Sequence, residues 1–295
     1  METENRSREL TTTDRILRAF ERLQHIDRRV MYALLAVVVA VPLIWNFKQP
    51  VVVTWPVQGA YDTIEKMPAD KLAIIDIVWD SGTVAESRPQ TEALIRHLML
   101  RNKKFAIVAF MPQGNKLAYD SAKRIGSELG KEYGKDWIHW GYRPGGAMIQ
   151  FMMGLGRDIP GTVKSDIEGK PVTSYPIMKG IKSIKNGDVG VIAEVTPSGT
   201  LDYWIAYVYG SYRTPLIYCP TAVMAPEGYN PLDAGQIKGM LTGMKGAAEY
   251  ESLLGRQDFA TRAAGALSTS HLLIIVLIIA GNIGYISSRR RRSES

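Results

Sequence analysis

The stretch LAIIDIVWDSGT, residues 72–83, decides the fold. Residues 72–79 are nearly all apolar, as expected for a strand that is buried on both faces of a sheet. Residues 80–83 then form a polar turn, and apolar side chains recur at helical spacing over residues 86–100. A strand, a turn and a helix in this order predict one unit of a parallel sheet that is covered by helices.

The same alternation continues to residue 254. Four further apolar runs are predicted strands, at residues 105–110, 137–142, 189–195 and 216–219, and three helical patterns follow them, at residues 118–133, 201–209 and 236–254. We therefore predict an α/β domain with a doubly wound, mostly parallel five-stranded sheet, Rossmann-like or flavodoxin-like, in the strand order 2-1-3-4-5. Residues 152–188 do not fit a simple crossover, and we interpret them as an insertion that forms a lid or a contact surface.

Two apolar segments flank this domain, at residues 30–47 and 271–288. Each is about long enough to cross a bilayer as a helix, which takes about 20 residues. The outer sides of both segments are rich in arginine, whereas Lys48 and Arg262 are the nearest cations on the inner sides. Since positive flanks stay in the cytoplasm, we predict two transmembrane helices, cytoplasmic termini and an extracytoplasmic domain at residues 48–270.

Each apolar segment has an alternative interpretation: a cleavable signal peptide for the first, and a buried core helix for the second. The 29 residues before the first segment are long for a signal peptide, and no small-x-small cleavage site follows it. The basic tail at residues 289–295 begins with four arginines, which is typical of a stop-transfer anchor. Residues 1–29 are predicted to form an amphipathic helix that lies on the bilayer, docks onto a membrane partner or extends the first span.

Composition excludes several classes of function. More than half of the formal net charge of +7 lies in the two tails, and the domain has no basic stripe with interleaved aromatic residues, so we expect no nucleic-acid binding. The single cysteine, Cys219, excludes an intramolecular disulfide. Four scattered histidines predict no metal site. Because neither a P-loop nor a GxGxxG motif is present, we expect no cofactor.

Candidate ligand-binding residues follow the predicted strands, because ligands of open α/β sheets bind at the carboxyl ends of the strands. These candidates are Ser81, Gly82, Arg143, Gly145, Gly146 and Ser198. Paired glycines before a helix would point backbone N–H groups at an anion, and an arginine would add a two-pronged donor. The alternative is that all six are ordinary turn and N-cap residues, which are frequent at such junctions.

Candidate catalytic residues are few. Asp76 and Asp80 lie near the end of the first predicted strand and would act as an acid–base pair if they shared one face. The alternative is that Asp80 caps the next helix and Asp76 bonds nearby backbone. Cys219 is expected to be a small buried apolar residue rather than a nucleophile. These residues favour a non-enzymatic function.

Three segments carry a resemblance to a known family: residues 134–159 (GKDWIHWGYRPGGAMIQFMMGLGRDI), 221–232 (TAVMAPEGYNPL) and 235–254 (GQIKGMLTGMKGAAEYESLL). The chain resembles a family of uncharacterised bacterial membrane-anchored α/β proteins. The resemblance implies a bacterial origin, and hence the inner membrane, and a single outer domain. It implies no activity and no functional residue.

Two functional hypotheses follow from these observations. In the first, the outer domain is a binding, accessory or scaffold subunit of a membrane complex, with the bilayer and other membrane subunits or a second copy as its partners. Ala280 and Gly284 support it, because small residues four apart let membrane helices approach closely. In the second, the domain is an envelope hydrolase or transferase that acts on an anionic substrate near Arg143.

Overall fold

A computed structural model describes residues 27–44 and 51–294, with side chains up to residue 289. The chain divides into two compact units, one formed by residues 1–47 and 262–295 and the other by residues 48–261. Most of the predicted tail helix at residues 1–29 lies outside the described residues.

Two helices are described in the first unit, α1 (Arg28–Ile44) and most of α11 (Phe259–Glu294). Within the described residues, one helix segment, Phe259–Arg289, is long and apolar enough to cross a membrane, which favours a membrane association. The described part of α1 has 17 residues and does not confirm the first predicted span. The two helices touch inside this unit, since the Thr269 hydroxyl donates to the carbonyl oxygen of Val38 at 3.2 Å.

The second unit is the predicted α/β domain, and its described sheet has six strands, not five, all of them parallel. The strands are β1 (Leu72–Ile77), β2 (Phe105–Ala109), β3 (Trp137–Tyr142), β4 (Val189–Thr196), β5 (Leu216–Pro220) and β6 (Gly239–Met240). The helices of this unit are α2 (Trp55–Glu65), α3 (Val84–Leu100), α4 (Pro112–Leu129), α5 (Met148–Arg157), α6 (Ile159–Val163), α7 (Leu201–Trp204), α8 (Gly210–Tyr212), α9 (Ala225–Asp233) and α10 (Gly243–Leu253). The sixth strand lies where we predicted the start of a helix at residues 236–254.

The predicted strand order 2-1-3-4-5 is wrong. The order is β3-β2-β1-β4-β5-β6, with the switch of direction between β1 and β4. The reason is the long connection after β3, which includes the predicted insertion at residues 152–188. It carries the chain from the β3 edge of the sheet back to the free side of β1, where β4 pairs with it. This order is the Rossmann-like one of the two we considered.

Each face of the sheet has its own buried core. One face packs against α3, α4 and α10 through Leu94, Ala118 and Tyr250. The other packs against α5, the insertion and α7 through Phe151, Ile177 and Trp204. Because both faces are covered, side chains of both parities along a central strand such as β1 are buried.

The carboxylate of Glu251 in α10 caps the start of α11. It accepts hydrogen bonds from the backbone N–H groups of Asp258, Ala260 and Thr261 and from the Thr261 hydroxyl, at 2.7–3.1 Å. These N–H groups include two of the orphan donors that every helix start presents. The cap therefore fixes the residue at which the long apolar helix begins.

Removal of this cap should destabilise the protein. We expect Glu251→Ala to lower the free energy of unfolding by about 2 kcal/mol, because several donors lose their buried acceptor together. The full chain in mild detergent is compared by thermal melting. Glu132→Ala is the matched control: its exposed ion pair with Lys135 at 3.1 Å is worth little. Equal melting temperatures for both variants would contradict the capping role.

Candidate functional site

The candidate site is a pair of buried carboxyl groups at the switch point of the sheet, which we call the carboxyl pair. Asp76 of β1 and Glu194 of β4 are direct partners in the parallel register, and each is at most 1% exposed. Adjacent strands lie about 4.8 Å apart, so the two side chains emerge side by side on one face. The crevice at a switch point is the usual ligand position in open α/β sheets.

The carboxyl pair is incompletely hydrogen bonded. The Trp204 indole N–H donates to Oδ2 of Asp76 at 2.7 Å. Among the described residues, Oδ1 of Asp76, both oxygens of Glu194 and the hydroxyl of Tyr218 have no hydrogen-bond partner. The Thr200 hydroxyl lies near Glu194 and partly opposes the rise of its pKa. Buried polar atoms are normally paired, so four unpaired atoms in one place require an explanation.

Burial also sets the protonation of the pair. It raises the pKa of Asp76 to about 7, and the Trp204 hydrogen bond only partly opposes this. Burial raises the pKa of Glu194 well above its usual range, and the neighbouring charge of Asp76 raises it further. Because the charge of one carboxylate disfavours the charge of the other, the two groups do not ionise together readily. The pair can therefore accept or release a proton near neutral pH.

The segment that follows β4 holds the site in place. Thr196, Ser198 and Thr200 join their hydroxyls at 3.0 Å at the carboxyl end of the strand. Trp204 comes next, in α7, and a π-helix follows at Ile205–Tyr209. Such π-helical turns are rare and frequently lie at functional sites. Of the six predicted ligand residues, Ser198 is thus the one whose own segment supports the carboxyl pair.

The other predicted ligand residues lie elsewhere at the carboxyl ends of the strands. The N–H of Ser81 donates to Gln113 at 3.1 Å, and that of Gly82 donates to Asp80 at 2.9 Å. Gly145 and Gly146 are exposed in a short 3-10 helix, and nothing lies within 4 Å of where their Cβ atoms would be. Within the described region, no hydrogen bond joins them to Ser81 or Gly82. Whether any of them binds a ligand stays a prediction.

Arg143 is hydrogen bonded to the insertion. Its guanidinium donates to the carbonyl oxygens of Val163 and Ser165, at 2.7 and 3.2 Å, and lies 5.9 Å from the ring centroid of Phe151. Burial lowers its pKa. The arginine therefore ties the insertion to the end of β3, and a substrate would have to compete with two backbone carbonyls.

The strand neighbour of Asp76 is Glu194, whereas the predicted acid–base partner was Asp80. Because β1 ends at Ile77, Asp80 lies in the loop beyond the strand, where its carboxylate accepts from Gly82. The structure instead places Glu194 beside Asp76. Sequence reasoning missed Glu194, although it is the only charged residue in the apolar run at residues 189–195. A lone acid in a buried strand was the signal.

Cys219 lies away from this site. The Cys219 thiol is buried on the opposite face of the sheet, where burial raises its pKa. Within the part of the chain that is described, no three His, Cys, Asp or Glu side chains come together as a metal site.

Comparison of the chain with protein-family models, with curated proteins and with solved structures gave no match.

A surface of exposed tyrosines borders the site. Tyr203 and Tyr207 lie one turn apart in the segment after β4 and are 39% and 36% exposed, and Tyr229 of α9 is 47% exposed. The two segments are neighbours, since the Tyr209 hydroxyl donates to the carbonyl oxygen of Gly235 at 3.2 Å. We call Tyr203 and Tyr207 the tyrosine surface. Tyrosine is enriched in protein interfaces because its large ring also carries a polar group.

Proposed function

We propose that this chain is a doubly anchored protein of the bacterial inner membrane, with both termini cytoplasmic, and that its extracytoplasmic α/β domain is a binding or accessory subunit of a membrane complex. The observation that carries the proposal is the carboxyl pair. Unpaired carboxyl oxygens in a core lower stability, and apolar residues of the same size would be better there. Their position at the switch point is explained if the domain receives a hydrogen-bond donor from a partner.

The chemistry of the site selects the kind of partner group. Carboxyl oxygens accept hydrogen bonds, so the complementary group is an amine, an amide or a hydroxyl rather than an anion. Trp204 connects the two features, because its ring follows directly on the exposed Tyr203 and its N–H reaches Asp76. A partner that packs on the tyrosine surface would therefore act on the segment that holds the carboxyl pair.

The test is purification of the full chain in mild detergent, followed by identification of the proteins that remain bound. We expect a defined partner with the wild type and at least a tenfold loss of it with Tyr203→Ser combined with Tyr207→Ser. Tyrosine is enriched among the few interface residues whose truncation costs more than about 1 kcal/mol. Tyr142→Ser is the matched control. Tyr142 is also 39% exposed, but it belongs to the edge strand β3, which β2 and β1 separate from β4.

Two outcomes would contradict the proposal. One is a monomer that purifies without a bound protein, and the other is a partner that both variants retain equally. The melting temperature of each variant separates a lost contact from a lost fold.

A second candidate is an envelope hydrolase or transferase. The observation in its favour is the pKa of Asp76, about 7, because a general acid or base works best when its pKa lies near the working pH. A substrate, like a donor group from a partner, would reach Asp76 only after the crevice opens, since Asp76 is 0% exposed.

A further inference from the structure

A second feature, independent of the carboxyl pair, is a cleft at the amino ends of the strands. The residues that precede β1, β4, β5 and β6 surround a cleft of about 400 Å³. Small-molecule sites typically have volumes of about 300–1,000 Å³. Four cationic side chains line the cleft, Lys66, Lys71, Arg213 and Lys238, and none of its lining residues is acidic.

These cations are largely uncompensated. Within the described residues, no ion pair involves Lys71, Arg213 or Lys238, and Lys66 pairs only loosely with Asp62, at 3.7 Å between exposed side chains. Asp188, next to the lining residue Val189, is hydrogen bonded within its own loop. Its carboxylate accepts from the N–H groups of Lys182 and Ser183 and from the Asn186 side chain. The cleft therefore has a surplus of positive charge.

Arg213, one of these cations, has an unusual backbone conformation. Arg213 ends α8 in the left-handed conformation, with φ of 56°, which is the position where glycine is preferred. Its guanidinium lies 5.0 Å from the ring centroid of Tyr209. Glycine would adopt this conformation without strain, so the side chain can be removed without disturbing the backbone.

We propose that this cleft binds a phosphate group. Lysine ammonium groups and an arginine guanidinium are the usual donors to phosphate oxygens, and a concave surface with several of them concentrates the positive potential. The phosphate can belong to a soluble molecule or to the headgroup of an anionic lipid, since both present the same chemistry.

The experiment uses the full chain in a neutral detergent at low salt, with inorganic pyrophosphate as the first probe in isothermal titration calorimetry. We expect saturable binding that weakens at least tenfold in the double variant Lys71→Ala/Arg213→Gly. Glycine suits the left-handed position, so the melting temperature should not fall. The control is Lys123→Ala, which removes an exposed lysine of α4 that lies outside the cleft.

A second arm distinguishes the two sources of phosphate. Short-chain phosphatidylglycerol and short-chain phosphatidylcholine are titrated separately into the same sample, and each is tested for competition with pyrophosphate. Binding of phosphatidylglycerol supports a lipid headgroup, and binding of pyrophosphate alone supports a soluble phosphate. The proposal is overturned if neither anion binds, or if the double variant binds as tightly as the wild type. Loss of the partner on the tyrosine surface would leave this result unaffected.

Discussion

The double amide variant Asp76→Asn/Glu194→Gln should be more stable than the wild type at pH 8, by about 2–4 kcal/mol in the free energy of unfolding. A carboxyl pKa of about 7 in the folded state, against 3.8 for the free side chain, corresponds to about 4 kcal/mol of destabilisation at high pH. The amides have no charge to bury, although they keep some unpaired polar atoms. For a domain of this size, the melting temperature should rise by about 5–10 °C.

The pH dependence gives the sharper form of this prediction. The folded pKa of Asp76 is raised, so its carboxyl group favours the folded state below about pH 4 and loses this effect as the pH rises through 7. The advantage of the amide variant should thus be smallest near pH 4 and should still grow above pH 7, because the pKa of Glu194 is raised well above its usual range as well. His97, whose pKa burial lowers to about 4, destabilises the fold as the pH falls from 6.5, but equally in both proteins.

A control of opposite sign is available in the insertion. Asp166 accepts hydrogen bonds from the Tyr133 and Tyr175 hydroxyls and from the N–H groups of Glu168 and Lys170. Burial raises its pKa, but these hydrogen bonds outweigh burial and lower it. Asp166→Asn should therefore lower the melting temperature at pH 8. If the double amide variant also melts lower at pH 8, the carboxyl pair is a stabilising core element and its assignment as a binding site fails.

The sequence was sufficient to predict a parallel sheet covered by helices, but it was insufficient to predict the order of the strands. Continuous apolar runs over residues 72–79 and 189–195 predicted buried parallel strands, and burial on both faces is what such runs require. Strand order depends on which edge a crossover returns to, and the connection after β3 is too long for local pattern to decide this. β6 was missed because two residues, Gly239 and Met240, form no pattern.

The site was only partly predictable for a related reason. Asp76 was recognised because it lies near the end of the first predicted strand, and the same argument applied to Glu194, which lies near the end of the fourth. What the sequence lacked was the pairing of β1 with β4, which joins the two acids. Arg143 shows the converse: its position after a strand predicted an anion site, whereas the fold uses its donors on the insertion.

The close approach of α2 to β6 leads to the other large effect, which we expect for Gly239→Ala. A Cβ atom at Gly239 would overlap the backbone nitrogen and Cα of Ala60, and one at Gly59 would overlap the carbonyl oxygen of Lys238. Backbone atoms cannot move aside as a side chain can, so α2 must separate from the sheet edge. We expect a loss of about 3 kcal/mol in the free energy of unfolding, with a melting temperature lower by about 6–12 °C.

Two comparisons isolate this mechanism. Gly145→Ala should change the free energy of unfolding by less than about 0.5 kcal/mol, because Gly145 is exposed, has an ordinary φ and has open space around it. Gly59→Ala should be as harmful as Gly239→Ala, and the double variant should lose less than the sum, because one separation of α2 from β6 relieves both overlaps. Additive losses would mean that the two glycines act at independent places, and an unchanged Gly239→Ala would mean that α2 does not pack on β6 in solution. In either case the amino edge of the sheet would be arranged differently, and with it the cleft that Lys71 and Lys238 line.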